Sequence, residues 1–148
     1  MEKRPRDSRR PFMDRSMQIG VFAGGFSLAA AVALAYLWAW SRGMDSAEMQ
    51  TVAFATWMVG HLVLAAHMRS ERQPLLRQGL FSNRPYLLWA AGALLLTVLG
   101  VAVPFLRTSL HLASIPPTAW AVAAIAGIIA PSWWEVVKWL RRRDGATG

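Results

Sequence analysis

Four long apolar stretches, separated by short polar connections, make up most of this chain. They occupy residues 17–40, 51–68, 86–106 and 118–140, and the first contains no charged residue. An α-helix rises about 1.5 Å per residue, so about 20 apolar residues cross the roughly 30 Å hydrocarbon core of a bilayer. The pattern therefore predicts four transmembrane helices.

The polar connections contain the signals that end one helix and begin the next. Residues 41–50 are too few for anything but a turn, so we expect the second helix to run antiparallel to the first. Pro74 lies within the central connection, residues 69–85, and prevents one continuous helix there. A Pro-Pro pair at residues 116–117 precedes the fourth stretch, where the first turn of a helix tolerates proline.

The composition indicates that lipid is the solvent of these helices. The chain is 55% apolar and 16% charged, whereas a soluble domain is about 45–50% apolar and about 25% charged. Backbone groups in lipid must be hydrogen-bonded within each segment, and the alternating strands of about 10 residues that a β-barrel needs are not seen. The predicted fold is all-α, a membrane bundle of four helices.

The basic residues lie in three groups. Of the 16 Lys and Arg residues, six precede the first apolar stretch, four lie in the central connection and four lie at the C-terminal end. Because Lys and Arg accumulate on the cytoplasmic side of membrane proteins, we expect both termini and the central connection to be cytoplasmic. Residues 1–16 then form a basic arm, residues 17–140 the membrane domain, and residues 141–148 a basic, disordered tail. This distribution explains the net charge of +8 without a nucleic-acid partner.

A secretory signal peptide is the competing interpretation of the first apolar stretch. That stretch has 24 residues, whereas the apolar region of a signal peptide has about 7–15. The length favours a first transmembrane helix.

His61 is the ionisable residue near the middle of the second apolar stretch. An ionisable group at that depth is costly in lipid, so it should face protein or water. Two interpretations stay open: a contact with a proton or cation on an ion path, or a neutral imidazole bonded to a neighbouring helix. His67 lies six residues later on another side of the helix, so the two histidines do not form a metal pair.

Other residues are candidates for packing rather than chemistry. Gly20 and Gly24 form a small-xxx-small pair that would allow another helix to approach closely. Glu135 and Lys138 lie three apart on one face of the fourth helix and are expected to form an ion pair near its cytoplasmic end. Arg69 and Glu71 are expected to form a similar pair just after the second helix.

Motifs of catalytic chemistry are absent from the sequence. It contains no phosphate-binding glycine loop, no Gly-x-Ser-x-Gly and no His-Glu-x-x-His. It also lacks cysteine, which excludes disulfides and thiolate metal sites. We therefore expect no enzyme activity, no catalytic residue, no cofactor and no metal site.

Several short motifs follow one another along the chain: Arg69-Ser70-Glu71, Asn83-Arg84-Pro85, Val103-Pro104-Phe105-Leu106, Trp120 and Glu135-x-x-Lys138. In this order they resemble the C-terminal transmembrane domain of the cation-transporting P-type ATPases, the family of calcium pumps and their bacterial relatives.

The resemblance implies that the four helices correspond to the family's seventh to tenth, which brace the ion-translocating helices. It also implies that His61 lies near the position where calcium pumps place a carboxylate. Imidazole is a poor calcium ligand, so a calcium site completed from this helix is not expected. A proton, another cation or no ion at all remains open.

The family's Asp-Lys-Thr-Gly-Thr motif, its nucleotide domain and its first six helices are absent from these residues. We expect a multi-pass protein of a bacterial inner membrane that supports cation transport with the rest of an ATPase or as a pump fragment. The alternative is a free-standing small channel or scaffold.

Overall fold

The computed structural model describes residues 15–68 and 83–144, with side chains from residue 18 and, in the last helix, to residue 133 and at residue 137. The described part is all-α, as predicted. Its helices, in chain order, are α1 (Arg15–Ser41), α2 (Ser46–Met68), α3 (Arg84–Ala102), α4 (Pro104–Ser109) and α5 (Pro117–Asp144).

Three of these helices are long and apolar enough to cross a membrane. They are α2, α3 and the part Gln18–Ser41 of α1. The fourth predicted span coincides with α5, whose apolar part, Pro117–Trp133, is shorter. The described helices therefore confirm a multi-pass membrane protein, with three full-length candidate spans and one shorter apolar helix.

Side-chain caps fix where two of the helices begin. Before α2, the Glu48 N–H donates to Asp45 Oδ1 (2.8 Å), and the Asp45 N–H donates to Glu48 Oε2 (2.9 Å). This reciprocal pair is a capping box, which satisfies backbone donors that have no partner inside the helix. At the start of α3, the Tyr86 N–H donates to Asn83 Oδ1 (3.1 Å).

The stretch predicted as one helix over residues 86–106 divides at Val103. α3 ends at Ala102, and α4 begins at Pro104. Val103 is extended (φ −85°, ψ 118°), as expected for a residue before proline, since the proline ring disfavours the helical conformation there. The apolar stretch therefore forms two helices that are separated at this residue.

α2 lies at the centre of the bundle. It packs against α1 and α5 along much of its length, whereas α3 contacts it over a smaller area and α4 packs against α3. We call the end of the bundle where α1 turns into α2 the Gly43 end, and the opposite end the Met68 end. A cluster of buried apolar residues lies at the Gly43 end and consists of Ala35, Ala39, Val52, Ile115 and Ala119.

Two glycines allow the backbones of α2 and α5 to meet. A Cβ added to Gly127 would lie 2.9 Å from both the Gly60 nitrogen and the Thr56 carbonyl oxygen. A Cβ on Gly60 would collide with Leu28 of α1. Pro131 lies four residues after Gly127 and has no N–H to donate to the Gly127 carbonyl, yet α5 continues through this turn. The helices are therefore in backbone contact at this level.

A buried threonine attaches the segment before α5 to the start of α2. The Thr51 hydroxyl donates to the Ala47 carbonyl (2.7 Å) and accepts the N–H of Ala113 (2.8 Å). Thr51 is fully buried. This contact holds the connection between α4 and α5 against α2 at the Gly43 end.

Candidate functional site

Gly60 faces Leu28 of α1 and Gly127 of α5. The next residue of an α-helix is rotated by about 100°, and His61 lies outside that contact, beside Trp89 of α3. Its side chain is exposed. His61 lies seven residues before Met68, the last residue of α2, which is about 10 Å along the axis. It is therefore displaced from the middle of the helix toward the Met68 end.

Aromatic rings contact the His61 imidazole. Its imidazole stacks on the Trp57 indole, with ring centroids 5.5 Å apart and planes at 27°. Trp89 of α3 also contacts the imidazole, in an edge arrangement with centroids 6.4 Å apart and planes at 64°. Phe54 and Tyr86 extend the set at either end, with centroids 6.3 Å from Trp57 and 6.1 Å from Trp89, respectively. We call these five residues the aromatic row.

The row is fixed to both helices. The Tyr86 hydroxyl donates to the Leu62 carbonyl of α2 (2.8 Å), which ties the start of α3 to the level of His61. Trp57 and Trp89 stay about half exposed, at 45% and 48%. The row therefore joins α2 and α3 at the surface and holds the imidazole in ring contact with two half-exposed indoles.

A groove continues from the aromatic row along the junction of α1 and α2. Two adjoining hollows of about 410 and 580 Å³ share Val32 and Trp57, and nearly all of their lining is apolar. We call them together the lateral groove. Its remaining lining residues include Ala29, Ala33, Tyr36 and Leu37 of α1, Gln50, Ala53 and Phe54 of α2, and Leu110 and Leu112 after α4.

The chemistry that this surface offers is hydrogen bonding and aromatic contact. Among the side chains that the structure describes, no group of three or more His, Asp or Glu residues is placed to hold a metal ion. Gln50, the amide in the groove, donates to the Leu110 carbonyl at 3.4 Å. The arrangement suits contact with another apolar surface that carries a complementary polar group.

Gly20 and Gly24, predicted from the sequence as packing residues, are both buried. A Cβ on Gly24 would lie 2.8 Å from Leu64 Cδ1 and 3.5 Å from Met68, so this face of α1 turns toward α2 inside the bundle. By contrast, Gly25 has open space around its Cβ position.

The two predicted ion pairs involve side chains outside the described part of the chain. Arg69 and Glu71 lie outside the described residues. Glu135 and Lys138 are on α5, but their side chains are likewise outside the described part of the chain. The two expected ion pairs therefore remain predictions.

Sequence reasoning missed the residues that surround His61. Phe54, Trp57 and His61 recur at the i, i+3, i+7 spacing of one helix face, which was a signal for a shared surface. No spacing in the sequence indicated Trp89, because its place beside His61 depends on how α3 packs against α2.

The apolar helices define the class of this molecule, a multi-pass helical membrane protein. The chain matches the family described as "Cation transporting ATPase, C-terminus" over residues 1–140 of its 148. It therefore belongs to this family, which confirms the resemblance found in the sequence motifs. The match is to the C-terminal membrane domain, and the catalytic domains of a P-type ATPase are not among these residues. A comparison with curated protein sequences found no match.

Proposed function

We propose that this chain is a non-catalytic membrane module that packs against the ion-translocating helices of a cation-transporting ATPase and supports cation transport there. The observation that carries the proposal is the family match over nearly the whole chain. The domain to which it corresponds lies, in complete pumps, beside the helices that move the ion. A module of this kind needs a surface for those helices.

The lateral groove and the aromatic row supply a suitable surface. They run along one side of α2, the helix at the centre of the bundle, and their lining is mostly apolar. Exposed small residues beside the groove, Ala29 and Ala33, would permit close approach of another helix. Association inside a membrane relies on such packing and on polar contacts, since lipid is itself apolar.

In this proposal His61 faces the ion-conducting helices of the partner. Its imidazole can accept or donate a proton or hydrogen-bond a neighbouring group, whereas calcium prefers oxygen ligands. The role assigned to His61 is therefore contact with the ion path rather than completion of a calcium site.

The proposed orientation places both termini and the central connection in the cytoplasm. Its support is the three groups of basic residues. Because the chain has no cysteine, Arg77→Cys and Ala146→Cys each create a single labelling site. In right-side-out vesicles, a membrane-impermeant maleimide should label neither variant until the vesicles are opened. Labelling of only one of the two before opening would refute the four-crossing topology.

Co-purification tests the association directly. The chain is expressed with a separately encoded cation-transporting ATPase chain, and capture is compared for Trp57→Ala and Trp40→Ala. Trp57 lines the groove, whereas Trp40 is the more exposed of the two (66% against 45%) and lies at the Gly43 end of α1. We expect Trp57→Ala to reduce capture at least about tenfold and Trp40→Ala to leave it unchanged.

Two results would count against the module. One is a stable, monodisperse bundle that never captures an ATPase chain; the other is equal loss of capture in both tryptophan variants. Ion flux through liposomes that contain this chain alone, abolished by His61→Ala, would favour the free-standing channel instead. Absence of flux at every pH would eliminate the channel.

A further inference from the structure

The lateral groove extends over one half of the membrane. Along α1 it runs from Ala29 to Leu37, and along α2 from Gln50 to Trp57. Both distances are about 10–12 Å, since each residue adds about 1.5 Å, whereas the hydrocarbon core of a bilayer is roughly 30 Å thick. The groove therefore lies within one leaflet, on the side of the Gly43 end, and opens between two apolar helices.

The amide and the hydroxyl of the groove lie toward its Gly43 end. They belong to Gln50 and Tyr36, and both side chains are exposed. Among the described residues, the Gln50 amide makes one hydrogen bond, of 3.4 Å, to the Leu110 carbonyl. A side-chain amide has two N–H groups, so one remains for a ligand. The groove thus matches a molecule that is apolar along its length and polar at the Gly43 end.

An arginine adjoins the same end of the groove. The Arg107 carbonyl accepts the N–H of Leu112, a groove residue, at 2.9 Å, and the Thr108 carbonyl accepts the N–H of His111 at 3.2 Å. These two bonds form a Schellman motif, which fixes Arg107 next to the groove lining. The Arg107 guanidinium makes no ion pair or hydrogen bond with the residues that the structure describes. Guanidinium groups bind phosphate strongly, through paired hydrogen bonds.

Other charged residues at the Gly43 end already have partners. The carboxylates of Asp45 and Glu48 are bonded in the capping box before α2. The Arg42 guanidinium lies 5.5 Å from the centroid of the Trp38 ring. Arg42 and Arg107 are also the two basic residues outside the three basic groups, so orientation in the membrane does not explain them. Arg107 is therefore available to an anionic group at the membrane surface.

We propose that the lateral groove binds an acyl chain of a phospholipid from the leaflet at the Gly43 end, and that Arg107 and Gln50 bind its phosphate. The long stem of an arginine lies along apolar surface while its guanidinium reaches the head groups. Basic groups between transmembrane helices recognise lipid head groups in this way. The inference goes beyond the proposed function, because it concerns the chain without a partner. A partner helix seated in the groove would displace this lipid.

Native mass spectrometry counts the lipids bound to the full chain after its release from detergent micelles. The probes are dioleoyl phosphatidylglycerol and dioleoylglycerol, which has the same chains but no phosphate. Ala33→Phe fills the groove, whereas Ala30→Phe adds the same ring at an exposed residue of α1 outside the groove lining. Arg107→Gln removes the cation, and Arg42→Gln is the matched control at the same end of the bundle.

We expect one phosphatidylglycerol molecule to bind saturably, at least about fivefold more tightly than dioleoylglycerol. Arg107→Gln should abolish this difference without weakening the binding of dioleoylglycerol, because it removes the contact with phosphate alone. Ala33→Phe should prevent saturable binding of both lipids. Arg42→Gln and Ala30→Phe should bind both lipids as the unaltered chain does. Equal helical content by circular dichroism shows that the variants are folded.

Four results would overturn the inference. Equal affinity for the two lipids would show that phosphate is not recognised. Equal loss of affinity in the two arginine variants would indicate a general effect of charge. Lipid binding that survives Ala33→Phe would place the acyl chain outside the groove. A dimer of the delipidated chain that Ala33→Phe dissociates would identify a second copy as the occupant. Failure of the co-purification experiment, by contrast, would refute the proposed function and leave the lipid result standing.

Discussion

Replacing Gly127 with alanine tests the backbone contact that positions the candidate site. The new methyl group would lie 2.9 Å from two backbone atoms of α2, the Gly60 nitrogen and the Thr56 carbonyl oxygen. Ordinary contact begins at 3.4 Å, so a separation of the helices by about 0.5 Å would be needed to restore it. Neither backbone atom can move aside as a side chain could. Separation would weaken packing on both sides of the crossing.

The expected change in the free energy of unfolding of Gly127→Ala is the difference between two opposing effects. Overpacking of this kind costs about 1–3 kcal/mol, while alanine in place of glycine within a helix contributes roughly 0.5–1 kcal/mol. Gly92→Ala in α3 is the matched control, because nothing lies within 4 Å of its Cβ position and only the favourable effect applies. We expect the free energy of unfolding of Gly127→Ala to lie about 1–3 kcal/mol below that of Gly92→Ala.

Unfolding in detergent micelles, titrated with dodecyl sulfate and followed by tryptophan fluorescence, measures this difference. A companion variant, Gly60→Ala, adds a check: its methyl group would meet chiefly the end of the Leu28 side chain of α1, which can move aside, so Gly60→Ala should cost less than Gly127→Ala. If Gly127→Ala and Gly92→Ala unfold within about 0.5 kcal/mol of each other, the close crossing of α2 and α5 is refuted.

Three further substitutions test other contacts of the bundle. Thr51→Val leaves the Ala113 N–H without its acceptor in a buried place, and should reduce the free energy of unfolding by about 1–3 kcal/mol, measured by the same titration. Tyr86→Phe removes the bond to the Leu62 carbonyl; we expect a loss of about 0.5–1.5 kcal/mol and faster hydrogen exchange in the first turns of α3. Gly43→Ala places a side chain at φ 71° and should cost about 1–2 kcal/mol by thermal unfolding.

Each of these substitutions has a control within the chain. Thr108→Val removes an exposed hydroxyl that bonds only within its own helix, so it should cost much less than Thr51→Val. The Cβ position of Gly25 is as open as that of Gly43, but Gly25 lies inside α1. Gly25→Ala should therefore not lower the free energy of unfolding. Tyr36→Phe, at an exposed tyrosine in the groove, should leave hydrogen exchange in α3 unchanged. If a substitution and its control give the same measured result, the contact that the substitution removes does not make the expected contribution.

The candidate site shows how far inference from the sequence extends. His61 was recognisable because an ionisable residue stands out in an apolar stretch, and the spacing of Phe54 and Trp57 places them on the same face of the helix. That this face turns outward was not recognisable, because it depends on Gly60 meeting α5. The position of Trp89 likewise depends on a contact between helices far apart in the sequence.

The predicted glycine contacts illustrate the same limit. Gly24 was predicted to permit a close helix approach, but its spacing from Gly20 carries no information about which helix approaches. In the structure Gly24 faces α2 of the same bundle, whereas the exposed small residues of α1 include Gly25, Ala29, Ala30 and Ala33.

The sequence by itself determined that this protein is helical, lies in a membrane and belongs to its family. Those properties depend on the length of apolar stretches, on the turn residues between them and on short motifs, all of which are local in the chain. Only the tertiary structure decided which face of α2 is covered and which remains open beside His61. That choice arises from how α1, α3 and α5 pack around α2, because side-chain volumes on separate helices must fit together.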